Sequence, residues 1–337
     1  MQQGRNIPII DIAGLGAGNG APEDEVIAAI AVQVRAACLE HGFFYLSGHG
    51  IGAELLAGVF EANRAFHARP LTEKLQIKLN QWHRGYQAFA TSKLVSSARF
   101  APASAANQLE SFFLRHEVPP DDPGYRVREL MGPNQWPDGA AFRDAVSRYD
   151  RAVRELGMRL LPVFSLAVGE RPAFFQQFFQ APSTALRLIH YPAAPGDRER
   201  EVFGIHPHTD YGFITILAQD DVGGLEIQTV DGGWMPAPAI PGALIINIGD
   251  ILARWTNDVF NSTPHRVINP SARRSRYSVG MFFDPDIDAH IRCLEQFTEP
   301  GQPVKHPPIR YGDYFQNRLD NNYPDRVGVS GPQGRSS

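Results

Sequence analysis

Two periodicities divide the chain. In the first half, apolar residues recur mostly at helical spacing. Asn6 to Ile12 ("NIPIIDI") reads as a short β-branched strand closed by the Gly-rich turn "GLGAGNGAP". "PEDEVIAAIAVQVRAACLEHG" follows, with acids in its first turn, a helical apolar period and Gly42 as its stop. Phe43 to Gly50 ("FFYLSGHG") predicts a second strand, and Ala53 to Ala68 a second helix ended by Pro70. Ser92 to Pro137 is rich in Pro, Asp and Ala without a period, which predicts long loops over a site. Ala140 to Gly169 is the longest helical pattern, with Val146, Ala152, Val153, Leu156 and Leu160 forming much of its apolar stripe.

After Ala181 the period shortens. "TALRLIHYP", "FITILAQ", "GLEIQTV", "GALIINIGD", "HRVIN" and "RYSVGMFFDP" are brief β-patterned runs separated by Gly, Pro and Asp turns. Many short strands at modest spacing predict a sandwich or jelly roll rather than alternating βαβ units. The expected architecture is mainly β with flanking helices. The tail "VGVSGPQGRSS" reads as disordered.

Composition narrows the function. A chain of 337 residues, 43% hydrophobic and 20% charged, suits one large or two small soluble domains. A net charge of −4 argues against a nucleic-acid partner. Two distant cysteines, Cys38 and Cys293, supply neither a disulfide framework nor a Cys-based zinc site and fit a reducing cytosol. The N-terminal "IPIIDIAGLG" lacks the basic region of a signal peptide, and no apolar run has membrane-spanning length. The expectation is a cytoplasmic protein with no membrane partner. Nothing in the pattern sets an oligomeric state.

Against this background "GIHPHTDYGFITIL" (Gly204 to Leu217) stands out. His206, His208 and Asp210 occupy alternate positions, and in a strand such residues share one face. Two imidazoles and a carboxylate are costly to bury unless something engages them. Two histidines and one carboxylate can hold one face of Fe(II) and leave its other positions open. His208 and Asp210 are candidates for two ligands, and His265 in "STPHRVINP" for the third, three strand-like runs downstream. Arg276 and Ser278 in "RRSRYSVGMFF" form an i, i+2 pair whose guanidinium fork and hydroxyl suit a carboxylate. Any one of these residues alone is weak evidence, since a lone histidine is more often an ordinary surface or core residue. Their conjunction carries the reading.

"HTDYGFITIL", "GGLEI", "GALIINIGDILARWTND", "STPHRVINP" and "RYSVGMFFDPD" together resemble the Fe(II)/2-oxoglutarate-dependent dioxygenases of the isopenicillin N synthase-like family. "IPIIDI", "GFFYLSGHGI", "FHARPLTEKLQI", "RGYQAF" and "QLESFFL" are similar to that family's N-terminal region, and "YGDYFQNRL" to its C-terminal helix. The resemblance implies a double-stranded β-helix (a jelly-roll, cupin-like core) over residues 181–290. It implies an N-terminal α/β region over 1–120, linking loops and a packing helix over 121–180, and a C-terminal helix and tail over 291–337. It implies Fe(II) on His208, Asp210 and His265, with 2-oxoglutarate and O2 as cosubstrates. Arg276 and Ser278 match the pair that holds the distal carboxylate of 2-oxoglutarate, and Tyr191 a tyrosine that helps hold it. Ile189 departs from an asparagine that some members carry two residues before that tyrosine.

The implied reaction oxidises a small-molecule substrate while 2-oxoglutarate yields succinate and CO2. Hydroxylation, desaturation and ring closure all remain open. The alternative within the family is a 2-oxoglutarate-independent oxidase of the isopenicillin N synthase type, which keeps the Arg-x-Ser pair. A metal-free binding module and a zinc hydrolase are further readings, disfavoured by the intact triad and by the Arg-x-Ser pair. Candidate substrate contacts are Tyr86, Phe89, Arg187, Tyr211, Phe282 and Phe283. Tyr86 and Phe89 either line the cavity or simply pack, and Arg187 either faces the cavity or pairs with a carboxylate such as Asp250. His206 matches no ligand and is expected beside the site, at its mouth or in solvent.

Overall fold

The computed structural model describes residues 6–16, 24–93, 100, 102–126, 130–194, 197, 202–298 and 303–323. The expected disordered tail and residues 17–22 of the Gly-rich turn lie outside them. Helix α1 (Asp24–Glu40) begins with Asp24 and Glu25, whose charges suit its N-terminus. It stops at Gly42, whose φ of 65° is left-handed and whose missing Cβ would stand 2.1 Å from the Asn261 carbonyl oxygen. Helix α2 (Ala53–His67), the short α3 (Leu71–Lys74) and the 28-residue α4 (Ala140–Ala167) follow. Of the expected apolar stripe of α4, Val146, Val153, Leu156 and Leu160 are fully buried and Ala152 is half-buried.

The strands in chain order are β1 (Ile9–Asp11), β2 (Phe43–Ser47), β3 (Gly85–Gln87), β4 (Glu110–Arg115), β5 (Ala185–Tyr191) and β6 (Ile205–His208). They continue with β7 (Ile214–Gln219), β8 (Leu225–Gln228), β9 (Trp234–Pro236), β10 (Leu244–Ile248), β11 (His265–Val267) and β12 (Arg276–Phe283). Helix α5 (Asp250–Trp255) follows β10, and α6 (Tyr311–Asn322) closes the described chain. A major sheet runs β1-β2-β10-β7-β12-β5-β4-β3, and a minor sheet β6-β11-β8-β9. This is the double-stranded β-helix with flanking helices.

Parity along the strands sorts the core into two layers. On β12, Arg276, Ser278, Gly280 and Phe282 face the interior between the sheets, together with Tyr191, Ile189 and Arg187 of β5. The alternate residues Val279, Met281 and Phe283, with Leu186 and Leu188, join the larger cluster that includes the buried faces of the helices. The inner layer is smaller and includes Phe43, Tyr45, Ile245 and Val267.

The stretch from Ser92 to Pro137, expected as loops, contains β4, every residue of which is buried. "ESFFLR" looks too polar for a buried strand, but its charged ends find partners inside the molecule. Glu110 pairs with Lys74 at 2.7 Å, and the Arg115 guanidinium donates to Ser183 Oγ at 2.9 Å. β1 to β4 come from the N-terminal 120 residues yet share the major sheet with β5, β7, β10 and β12.

Candidate active site

β6 carries an irregularity that decides which histidine does what. His208 pairs with His265 and Ile205 with Val267, so a two-residue step on β11 is matched by a three-residue step on β6. This bulge leaves His206 and Pro207 opposite Arg266 alone and breaks simple alternation. His208 and Ile205 both reach the interior, while His206 is turned aside. His206 is buried, not solvent-exposed, and both its backbone N–H and its Nδ1 meet the Asn107 side-chain oxygen, at 3.0 and 2.8 Å. β6 ends at His208, so Asp210 lies in the following turn rather than on the strand itself.

That turn is held by backbone. The N–H groups of Gly249, Asp250 and Ile251, at the start of α5, donate to the carbonyls of Phe213, Asp210 and Gly212 at 2.8–3.0 Å. A Cβ at Gly212 would stand 1.6 Å from the Asp284 carboxylate, so only glycine fits there.

His208, Asp210 and His265 come together. One ligand-type atom from each of His208, Asp210 and His265 lies within 4.8 Å of the others. His208 Nδ1–H donates to the His206 carbonyl at 2.8 Å and His265 Nδ1–H to the Thr263 carbonyl at 3.2 Å. A carbonyl can only accept, so each Nε2 is left with its lone pair toward the site. Both Nε2 atoms stand 3.7 Å from Asp210 Oδ1, too far for hydrogen bonds. Oδ1 makes no hydrogen bond among the described residues, while Oδ2 accepts from Thr215 Oγ1 at 2.5 Å and Asn247 Nδ2 at 2.7 Å. Three acceptors converging with no donor between them fit a divalent cation with bonds of about 2 Å. Burial, reinforced by His265, holds the His208 pKa down at about 3, so its neutral ligand form prevails. Burial pushes the Asp210 carboxyl up, but His265, His208, Asn247 and Thr215 outweigh it and hold it ionised.

Two cavities meet at the triad, sharing Arg187, Ile205, His208, Asp210 and Phe282. The inner one, about 530 Å³, reaches Arg276, Ser278 and Tyr191. Arg276 is 1% exposed, and among the described residues its hydrogen bonds all go to neutral groups, with the Asp220 carboxylate near enough to feel its charge. It donates to the Gly223 carbonyl at 2.7 Å, Gln219 Oε1 at 3.0 Å and Ser278 Oγ at 3.3 Å, and lies 4.7 Å over the Tyr191 ring. A buried guanidinium with no carboxylate in hydrogen-bond contact suits an anionic ligand. Ile189, opposite Ser278, adds an apolar wall.

The outer cavity, about 720 Å³, lies between the triad and α6, with Tyr211, Phe315 and Tyr323 in its walls. Of the expected substrate contacts it gathers Arg187, Tyr211 and Phe282 and leaves out the other three. Phe283 faces the helices, stacked on Phe179 at 5.2 Å. Tyr86 is on that outer face too, packed on Phe66 with its hydroxyl on Glu110. Phe89 is 45% exposed and borders a separate shallow pocket with Gln108 and Phe203. Arg187 does not pair with Asp250, which instead accepts from Ser262, Tyr314 and Arg318.

Asn107 and Asn247 escaped the sequence reading as site residues. Asn247 carries no motif of its own, but its inward parity on β10, opposite Thr215, places it at Asp210. No local pattern marks Asn107.

Comparison with known proteins agrees with this geometry. Residues 7–139 match the model of the non-haem dioxygenase N-terminal region, described from morphine synthesis, and residues 182–285 that of the 2OG-Fe(II) oxygenase superfamily. The 2-oxoglutarate-Fe(II) type oxidoreductase hxnY of Emericella nidulans is 35% identical over 94% of this chain and 90% of its own. The chain belongs to the 2OG-Fe(II) oxygenases. It is also similar to homoarginine-6-hydroxylase 2-ODD-C23.2 of Arabidopsis thaliana, 34% identical over 95% of this chain and 90% of that one. Among solved structures, a full-length Neurospora crassa protein in complex with alpha-KG and thymine superimposes with a TM-score of 0.79 at 26% identity, covering 95% of this chain and 98% of that one. This Fe(II)/2-oxoglutarate-dependent dioxygenase therefore takes O2 and 2-oxoglutarate as cosubstrates and acts on a small organic molecule. Relatives named as 2-oxoglutarate enzymes favour that reading over the 2-oxoglutarate-independent oxidase. Among the described residues no helix is long and apolar enough to cross a membrane.

Proposed function

We propose that His208, Asp210 and His265 hold the Fe(II) of this dioxygenase, that Arg276, Ser278 and Tyr191 hold 2-oxoglutarate in the inner cavity, and that substrate enters the outer one. The observation that carries this reading is the meeting of two cavities at one triad, the inner one ending on a buried arginine that hydrogen-bonds no carboxylate among the described residues. Fe(II) bound there supplies O2 activation coupled to loss of CO2 from 2-oxoglutarate. The chain supplies position. Asn247 and Thr215 keep Asp210 Oδ1 turned to the metal, and the two backbone carbonyls fix the imidazole tautomers. Arg276 and Ser278 fix the cosubstrate's far end, and Phe282 and Ile205 help keep water from the junction. Hydroxylation is the outcome we favour, as in the Arabidopsis relative's name. The free, widely separated cysteines support a cytoplasmic location, and the net negative charge supports action without a nucleic-acid partner.

The test is succinate formation by protein loaded with Fe(II) under nitrogen and then exposed to O2. Turnover should vanish in His208→Ala, and Arg276→Ala should weaken 2-oxoglutarate binding by about tenfold or more. Unchanged cosubstrate affinity in Arg276→Ala would remove the inner-cavity assignment. Unchanged metal binding in His208→Ala would remove the triad.

A further inference from the structure

Arg187 stands at the junction of the two cavities, buried to 8% exposure, and among the described residues no carboxylate pairs with it. Its Nε donates to Ser111 Oγ at 3.1 Å and its Nη2 to Gln87 Oε1 at 3.0 Å, both neutral acceptors. Ser111 Oγ also donates to Gln87 Oε1 at 2.9 Å, so the two acceptors brace each other. The Phe113 ring, directly across on β4, lies 4.7 Å from the guanidinium carbon. Across on β12 the partner is Gly280, which puts no side chain beside it. The fork is thus fixed in place, while Nη1 makes no hydrogen bond among the described residues and Nη2 keeps a second proton.

A buried cation with neutral partners is expensive unless an anion arrives. The cosubstrate does not use up this charge. Bound Fe(II) and Arg276 together offset Asp210 and the doubly charged 2-oxoglutarate, leaving Arg187 uncompensated. Around the outer cavity the cations are Arg187, Arg115 and Lys93, against Asp210 and Asp284. Asp210 is committed to the triad, and Asp284 accepts from the Tyr311 hydroxyl and the Phe213 N–H. The remaining walls near Arg187 are apolar and flat, notably Phe113 and Phe282.

We propose that the outer cavity takes a carboxylate-bearing substrate whose acid group is held by Arg187, with a flat apolar body against Phe282 and Phe113. This rests on the cavity assignment above. The carboxylate anchors the molecule beside the triad and so sets which carbon is presented for oxidation. Lysine is a poor replacement, because a point charge lacks the planar fork that Ser111 and Gln87 orient.

The experiment is calorimetric binding of benzoate, phenylacetate and their primary amides to protein loaded with Fe(II) and 2-oxoglutarate under nitrogen. The acids should bind the wild type about tenfold or more tightly than the amides. Arg187→Gln should erase that preference, Arg187→Lys should keep part of it, and 2-oxoglutarate affinity should stay the same in both. Circular dichroism melts establish that the variants are folded, with the lysine variant as the milder of the two. An unchanged acid-to-amide ratio in Arg187→Gln, or failure of every acid to bind the wild type at millimolar concentration, overturns the proposal. Loss of 2-oxoglutarate affinity with acid preference intact also overturns it and assigns Arg187 to the cosubstrate. Failure of the wild type to bind 2-oxoglutarate would instead strike at the cavity assignment, a separate and recognisable result.

Discussion

The two oxygens of Asp210 have different duties. Oδ1 faces two imidazole nitrogens, and Oδ2 is pinned by Thr215 and Asn247. Replacing Asn247 with alanine should therefore leave the triad present but less well aimed. Metal affinity should fall about 10–100-fold, as read by anaerobic Fe(II) titration, and an unchanged affinity would show that Thr215 alone suffices. Asp284 behaves differently, since burial pushes its pKa up to about 6 against the pull of Tyr311 and Phe213. A carboxyl raised in the folded state favours folding fully below its ordinary value of 3.8, and that contribution is lost as pH rises through about 6. Asp284→Asn should remove this loss, so the stability difference between variant and wild type should shift toward the variant between pH 4 and pH 7. Urea midpoints across that window measure it, and a flat difference would mean the carboxyl titrates normally. At this scale spacing put Arg276 and Ser278 on one strand face, whereas His208 and Asp210 were linked by their chemistry alone, because Asp210 lies past the end of β6. The error at Phe283 has a simple cause. Alternation gives parity along a strand but not which parity faces the site, and in "VGMFF" both faces are apolar because helices cover one of them.

Among the elements, α4 is set against β12 by an absence. A Cβ on Gly157 would lie 2.5 Å from the Phe283 ring, which is itself stacked on Phe179 and cannot retreat. Alanine favours a helix by roughly 1 kcal/mol over glycine, but overpacking of this kind costs about 1–3 kcal/mol. Gly157→Ala should thus be neutral to destabilising by urea denaturation, and clear stabilisation would mean that α4 shifts freely. The helices and the strands after Ala181 were readable because their periods are clean. β4 was not, because its ends are charged and the partners Lys74 and Ser183 lie far away in sequence. The bulge in β6 was equally silent: nothing local in "IHPH" says that one residue is extra, yet it parts His206 from His208.

For the molecule as a whole, the expected boundary near residue 120 runs through the catalytic sheet. β2 covers one side of β10, and β4 covers one side of β5. His265 itself also leans on the N-terminal segment, with Phe43 edge-on to its ring at 5.3 Å. Residues 121–337 expressed alone should therefore fail to stay monomeric, which size-exclusion chromatography would show. A monodisperse fragment that binds Fe(II) would contradict this.

The same pairing has a consequence for inheritance. β10 and β5 each carry residues of the site, Asn247 on one and Arg187 and Tyr191 on the other, and losing the first segment would leave each with one unpaired backbone edge. Recombination at that boundary would trade a sound enzyme for a sticky half. A change of specificity is therefore better made by point substitution within an intact chain than by exchanging its halves.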